Sequence, residues 1–478
     1  MQKKSQIANS IAIFLSQLSG RIIRFIYLII IVHILRPDDV GIFSYGIAFY
    51  LFITGFADFG QSTLLPIRIG RNRSNYQRII QQSFTLSFSA IAVTSLAGLL
   101  FIAYYESDSG HFYALSAFIL ALCARAFCSW VRSVFVGLES TTWIPRYETI
   151  FRGLEALIGS AGLLLGAGLV FICYLHAFIW LAEAIASYLL LTREAKVFPR
   201  ITMHIRSVSH VARVSMYYML SIWLLLAFPQ VGILSLRFFQ PATSEIAYFA
   251  IAMQFFTAFL IVPASISAAI LPGLSRAHKY RSMDDLGVIA STIKAGLVVG
   301  GVIAIVSNAV GPWLITTFMG ENYRLAGASF ARLCWGLGAY GIVFISIQAL
   351  NALGHRVQAI LASFLIVFIH VIGLILLLPL GGAVAAALSL VLASIAGTVY
   401  TSVVIGPLLG KRGQGWWFLP IFLTAVAALV TYLPVNIPTI NYVLALLLLL
   451  FLTWRMRVFS LSELQYIIRR IKPQRPTA

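Results

Sequence analysis

The sequence predicts an all-α polytopic membrane protein, and three observations carry that prediction. Of its 478 residues, 60% are hydrophobic and only 10% charged, with a mean hydropathy of +0.92. The apolar residues gather into runs of about 20, the length that crosses a bilayer as an α-helix. The basic residues, which give a formal charge of +19, fall mainly between those runs. A lipid-embedded backbone must satisfy its hydrogen bonds internally, and the alternating pattern of a transmembrane barrel is absent. Nucleic acid is excluded as a partner, because the positive charge sits in short loops, as the topology rule for cytoplasmic segments requires.

About fourteen transmembrane helices follow from the runs. The first twelve are expected near 11–35, 42–67, 79–104, 112–136, 149–170, 172–192, 211–236, 245–271, 287–317, 328–350, 357–378 and 382–406. Two more are expected near 416–433 and 440–456, before a basic tail. With the N-terminus in the cytoplasm, 24 lysines and arginines lie on the inner side and only Arg36, Arg237 and Arg324 on the outer side. That asymmetry requires an even number of spans and both termini inside; twelve is the alternative count. The expected organisation is a six-helix lobe at 1–200, a second at 201–408, two additional helices at 409–457 and a cytoplasmic tail at 458–478.

A weak internal repeat supports two parallel units. Tyr45–Phe52 matches Phe249–Phe256 at three of eight positions, and Leu35-Arg36 and Leu236-Arg237 close the first and seventh spans. Cys123, Cys128, Cys173 and Cys334 fall within spans and read as small apolar fillers. No phosphate-binding glycine loop, nucleophile elbow or metal-spaced cluster is present. The outer loops are too short to fold a catalytic domain.

The ionisable residues inside the spans carry the functional expectation. They are Arg21, Arg24, Arg125, Arg132, Arg152, Lys294 and Arg332 against Asp58, Glu155 and Glu183. Each costs about 2.5–3.5 kcal/mol at the bilayer centre on insertion scales, so most must face the protein interior. Gln17, Arg21 and Arg24 share one helical stripe with Ser10, and Thr54, Asp58 and Gln61 form another. Arg125 and Arg132 share a face of the fourth span, and Arg152 and Glu155 can pair at i, i+3. Arg152 and Arg332 lie near span ends, where snorkelling to the interface is expected. A cationic excess in the membrane interior predicts an anionic partner, and phosphate suits the guanidinium fork. Arg21, Arg24, Arg125, Arg132 and Lys294 are the candidate anion-binding residues, with Gln17, Thr54 and Gln61 as polar lining. Asp58, Glu155 and Glu183 are candidates for proton or sodium coupling, or for charge pairing with the arginines. The basic tail is expected to lie on anionic membrane lipid.

Three segments carry a resemblance: Arg21-Ile22-Ile23-Arg24, then Leu35-Arg36-Pro37-Asp38-Asp39-Val40-Gly41-Ile42-Phe43-Ser44-Tyr45, then Phe56-Ala57-Asp58-Phe59-Gly60. They resemble the opening of the polysaccharide transporters, the Wzx-type flippases within the multidrug/oligosaccharidyl-lipid/polysaccharide exporter superfamily. Phe318-Met319-Gly320-Glu321-Asn322-Tyr323 resembles the outer loop before the tenth span of that family. The resemblance implies two six-helix lobes in a V, alternating access, and transport of an undecaprenyl-diphosphate-linked oligosaccharide across the bacterial cytoplasmic membrane. It implies a cationic cavity for the diphosphate, no cofactor and no catalysis, with a glycan polymerase complex as a candidate partner. A multidrug exporter of the same superfamily and a membrane glycan polymerase or ligase are the alternatives.

Overall fold

The computed structural model describes residues 20, 22–106, 108–138, 144–202, 204–239, 243–260, 283–407, 418–432 and 438–455. Within them the protein is all-α, with no strand. The first unit contains α1 (Ile22–Ile34), α2 (Pro37–Asp58), α3 (Gln61–Arg71), α4 (Tyr76–Tyr105), α5 (Ser109–Gly137), α6 (Ile144–Leu164), α7 (Leu169–Arg193) and α8 (Ile205–Phe239). Helix α9 (Thr243–Phe259) follows. The second unit continues with α10 (Met283–Met319), α11 (Arg324–Cys334), α12 (Leu337–Ala352), α13 (Arg356–Ile405), α14 (Phe418–Thr431) and α15 (Pro438–Arg455). The two compact units are Met1–Ala247 and Tyr248–Ala478.

Each of the predicted spans holds one of these helices or part of one. Six helical stretches among the described residues are long and apolar enough to cross a membrane alone, and eight if each of two bent pairs is one span. Helix α13 is 50 residues long, about 75 Å at about 1.5 Å per residue. That is over twice the roughly 30 Å hydrocarbon core, so it holds two predicted spans. They meet at Gly382, whose φ of 51° and ψ of −127° lie where a Cβ is strongly disfavoured. The second span is broken instead at Phe59 and Gly60, both left-handed, between α2 and α3. Asp58 caps the break, accepting from the backbone N–H of Ser62 at 3.2 and 3.3 Å and from its hydroxyl at 2.8 Å. This is a helix N-cap in all but register, satisfying a donor that the new helix would leave orphaned.

Polar contacts tie helix ends together within the first unit. Glu106, at the end of α4, accepts from Arg237, near the end of α8, at 2.5 and 2.9 Å. Thr243 donates to Asp38 at 2.5 Å, joining the starts of α9 and α2. At the opposite ends Leu65, Ile69, Ile79, Ile80, Trp130, Phe135, Leu191 and Val197 form one apolar cluster. Lipid is as apolar as leucine, so helix association here rests on close packing and on hydrogen bonds between helices. Small residues permit it: a Cβ on Gly46 would lie 2.2 Å from the Phe118 ring, and one on Gly55 would lie 2.4 Å from Trp223.

Helix α8 packs along α2 and α3 over most of its length. Trp223 donates its indole N–H to the Phe52 carbonyl at 2.9 Å. Gln61, fully buried, donates to Ser215 of α8 and accepts from Ser83 of α4 at 2.7 Å. In the second unit the appended helices are moored by one hydroxyl. Tyr432, just past α14, donates to Asn308 of α10 at 2.7 Å and accepts from Arg332 and Trp335 at 2.7 and 3.0 Å. Val298 and Ile305 of α10 pack with Ala445 and Leu449 of α15.

Gly382→Ala should destabilise the second unit by about 1–3 kcal/mol, the usual cost of a side chain in that backbone region. Thermal unfolding of the detergent-solubilised protein measures it, with Gly381→Ala, whose φ of −163° is extended, as the mild control.

Candidate functional site

Three helices of the first unit place their ionisable residues on facing stripes. On α6 the residues are Glu148, Arg152 and Glu155; on α7 His176, Trp180, Glu183 and Ser187; on α5 Arg125, Cys128 and Arg132. Spacings of three, four and seven residues keep each set on one side of its helix. Tyr50 of α2 joins them from the side.

Arg152 is at the centre and is 6% exposed. It donates to Glu155 Oε2 at 2.5 Å and to Glu183 Oε2 at 2.5 Å, and its guanidinium lies 4.1 Å from the centre of the Trp180 ring. The i, i+3 pairing of Arg152 with Glu155 is present. The snorkelling expected of Arg152 is not: a cation flanked by two buried carboxylates is held inside rather than drawn to the interface. Arg332 likewise has an internal partner, the Tyr432 hydroxyl and ring.

Glu155 uses its other oxygen on His176 Nδ1 at 2.6 Å. His176 Nε2 faces two donors, the Trp180 indole N–H at 3.2 Å and the Tyr50 hydroxyl at 3.3 Å. An indole N–H can only donate, so Nε2 is the acceptor and Nδ1 carries the proton toward Glu155. The hydrogen-bond pattern thereby assigns a neutral imidazole. Tyr50, 2% exposed, also accepts from Arg125 at 2.8 Å. The Arg125 guanidinium lies 5.3 Å from the centres of both the Tyr50 and the Trp180 rings. Trp180 is therefore in cation–π range of two arginines at once. With His176 neutral, two arginines balance two glutamates across the network.

Arg24 belongs to the same surroundings. It lies within electrostatic reach of Arg152, Arg125 and Glu155. It is exposed, at the edge of the stripe whose Tyr27 and Ile31 are buried. Tyr27 fits over Gly159 of α6, where a Cβ would come within 2.0 Å of its hydroxyl. Arg24 donates to the Gly20 carbonyl at 3.2 Å, and among the described residues neither Arg24 nor Arg125 forms an ion pair. Arg132 pairs with Glu148 of α6, next to a small cavity lined by Cys128, Tyr147, Glu183 and Ser187.

The remaining candidates are distributed elsewhere. Thr54 donates to the Tyr50 carbonyl one turn earlier at 2.6 Å. Asp58 and Gln61 sit at the α2–α3 break, engaged as described above. Gln17, Arg21 and the side chain of Lys294 lie outside the described residues. Among the described residues no group of His, Cys, Asp and Glu could hold a metal ion. Sequence reasoning missed Tyr50, Trp180 and Glu148. Their signal was the shared stripe: 176, 180, 183 and 187 recur at helical spacing opposite 148, 152 and 155.

Arg152→Ala should lower stability by about 3–5 kcal/mol, because it strands two buried carboxylates. The triple change Arg152→Met, Glu155→Gln, Glu183→Gln should recover most of that loss. Thermal unfolding in detergent of the single and triple variants tests this; equal losses would contradict the pairing.

The family model for polysaccharide biosynthesis proteins matches residues 7–278, more than half of the chain. No curated protein matches the chain by sequence. Among solved structures, the fold is similar to that of the lipid II flippase MurJ in an inward closed conformation, with a TM-score of 0.70 and 13% identity over 94% of this chain and 99% of that one. It is similar to an inward-facing multidrug resistance MATE family transporter of the MOP superfamily, with a TM-score of 0.66 and 13% identity over 83% and 96%. A MOP superfamily transporter from Pyrococcus furiosus, described as having a binding pocket of reverse polarity, aligns with a TM-score of 0.63 and 13% identity over 86% and 97%. The match over residues 7–278 shows that the chain belongs to the polysaccharide biosynthesis protein family, and its fold is the one shared by these flippase and MATE structures.

Proposed function

We propose that this protein is a flippase that moves an undecaprenyl-diphosphate-linked oligosaccharide, the repeat unit of an O-antigen, capsule or exopolysaccharide, across the bacterial cytoplasmic membrane by alternating access. One observation carries the reading. Arg24 and Arg125 are two guanidiniums without a carboxylate partner among the described residues, and around them Arg24, Arg125, Arg132 and Arg152 outnumber Glu148, Glu155 and Glu183. Such cations are costly unless an anion visits them. A lipid diphosphate supplies that charge, and guanidinium binds it in a bidentate fork. Arg21 belongs with them by its place on the same helical stripe; Arg132 and Lys294 are the further candidate cations by sequence, and Arg132 is paired with Glu148.

In this reading the lobes are 1–200 and 201–408, the helices at 409–457 are an appendage, and both termini and the basic tail at 458–478 are cytoplasmic. Glu155 and Glu183 serve charge pairing first, and proton or sodium coupling is sought in the same network. Membrane lipid and a glycan polymerase complex are the expected surroundings. The likeness to multidrug resistance transporters favours a second reading, export of a drug. A surplus of interior cations opposes it for cationic compounds.

Deletion of the gene should cause an undecaprenyl-diphosphate oligosaccharide to accumulate. Mass spectrometry identifies the glycan, and a membrane-impermeant lectin reports its leaflet. Accumulation on the inner face supports the flippase, accumulation on the outer face a polymerase or ligase, and altered drug susceptibility without accumulation the exporter. Arg24→Ala combined with Arg125→Ala should reduce glycan export at least about tenfold at unchanged membrane abundance, the loss expected from removing one to two charge-assisted contacts. Full export by that double variant would sink the assignment.

A further inference from the structure

The Tyr50 hydroxyl connects a cation that has no carboxylate partner to a histidine that has one. Its oxygen accepts from Arg125 at 2.8 Å, and its proton faces His176 Nε2 at 3.3 Å. On the far side of the imidazole, Nδ1 is held to Glu155 at 2.6 Å. We propose that His176 is a proton-binding site coupled through Tyr50 to the occupancy of Arg125, so that an anion binding there takes up one proton from solvent. This rests on the reading of Arg125 as an anion site.

The argument is a count of donors and acceptors. With Arg125 directed to Tyr50, the Tyr50 proton is available to His176 Nε2, which already accepts from Trp180 at 3.2 Å. An additional proton on Nε2 would face two donors. When an anion draws Arg125 to itself, the Tyr50 oxygen loses that donor. The hydroxyl can then turn its proton to the anion and accept from a protonated Nε2. Two charges favour the same step: the arriving anion, and Glu155, which becomes the counter-ion of an imidazolium. The Trp180 N–H loses its acceptor and must turn away. No covalent bond other than N–H forms, and the proton comes from water.

The groups around His176 are accounted for. Tyr50 approaches from α2, Arg125 and Arg132 from α5, Glu148, Arg152 and Glu155 from α6, and Cys173 and Glu183 lie on α7 itself. Arg24 and Tyr27 of α1 are in electrostatic reach of Glu155. The arginines oppose an imidazolium and the glutamates favour it. In the unoccupied site the four arginines outnumber the three glutamates, and an anion removes that excess.

The sign is fixed by linkage. The occupied state binds more protons than the empty one, so affinity is greatest at low pH and falls as pH rises, by at most about tenfold per pH unit.

The test is calorimetric titration of the full-length protein in detergent with inorganic pyrophosphate, in buffers of different ionisation enthalpy. The wild type should take up about one proton more per pyrophosphate than His176→Gln or Tyr50→Phe, which also corrects for the ligand's own ionisation. Tyr50→Phe preserves the ring beside Phe118 and serves if the histidine variant fails to fold. Equal uptake by wild type and both variants, with pyrophosphate still bound, would overturn the coupling alone. Absence of pyrophosphate binding to the wild type would overturn the anion site and the coupling with it. Loss of binding in Arg125→Ala, with coupling seen in the wild type, would support both.

Discussion

A charge in hydrocarbon must find a counter-charge or water, and the first unit is arranged around one answer to that demand. Arg152 sits between Glu155 and Glu183 with the Trp180 face beside it. Each carboxylate is bound at 2.5 Å, so neither is left bare. Two helices then have a fixed mutual rotation, because turning α6 or α7 would carry one partner out of the group. The Tyr50 and Arg125 contacts add α2 and α5 to the same arrangement. The apolar packing around it tolerates many rotations; this network permits few.

Apolar packing and charge pairing divide the work along the helices. One set of ends of α3, α4, α5 and α7 meets in an apolar cluster around Trp130 and Phe135. The middle is held by the ion network, and the opposite ends by Glu106 with Arg237 and Asp38 with Thr243. A buried ion pair adds little net stability over an apolar substitute, and its value lies in selecting one arrangement.

Much of this was legible in the sequence. The all-α membrane class was, because hydrophobic length is set by bilayer thickness and a run of apolar residues records it directly. Loop charge assigns a sidedness, and the Glu106–Arg237 and Asp38–Thr243 contacts join segments that it groups together. The pair Arg152–Glu155 was legible, because both partners lie on one helix. The partners on other helices were not: periodicity says which face of α7 holds His176 and Glu183, and nothing in it says that α6 is opposite. Glu148 was overlooked as the counter-ion of Arg132 for that reason. Asp58 reads in sequence as a deep acid, yet it caps a helix break that begins at Phe59, a residue whose left-handed backbone has no compositional signature. Gln17, Arg21 and Lys294 stay on the strength of their sequence positions.

The contacts of α8 have a mechanical consequence. It is fastened to the α2–α3 span at Gln61 and at Phe52, and to α4 at Glu106. These fastenings are polar and lie on both sides of a 50° bend in α8 between Leu220 and Trp223. The Ser215 bond holds the arm before the bend, and the Trp223 and Arg237 bonds hold the arm after it. Straightening the helix would have to break a bond on one arm or the other, so the bend is clamped rather than free to act as a hinge.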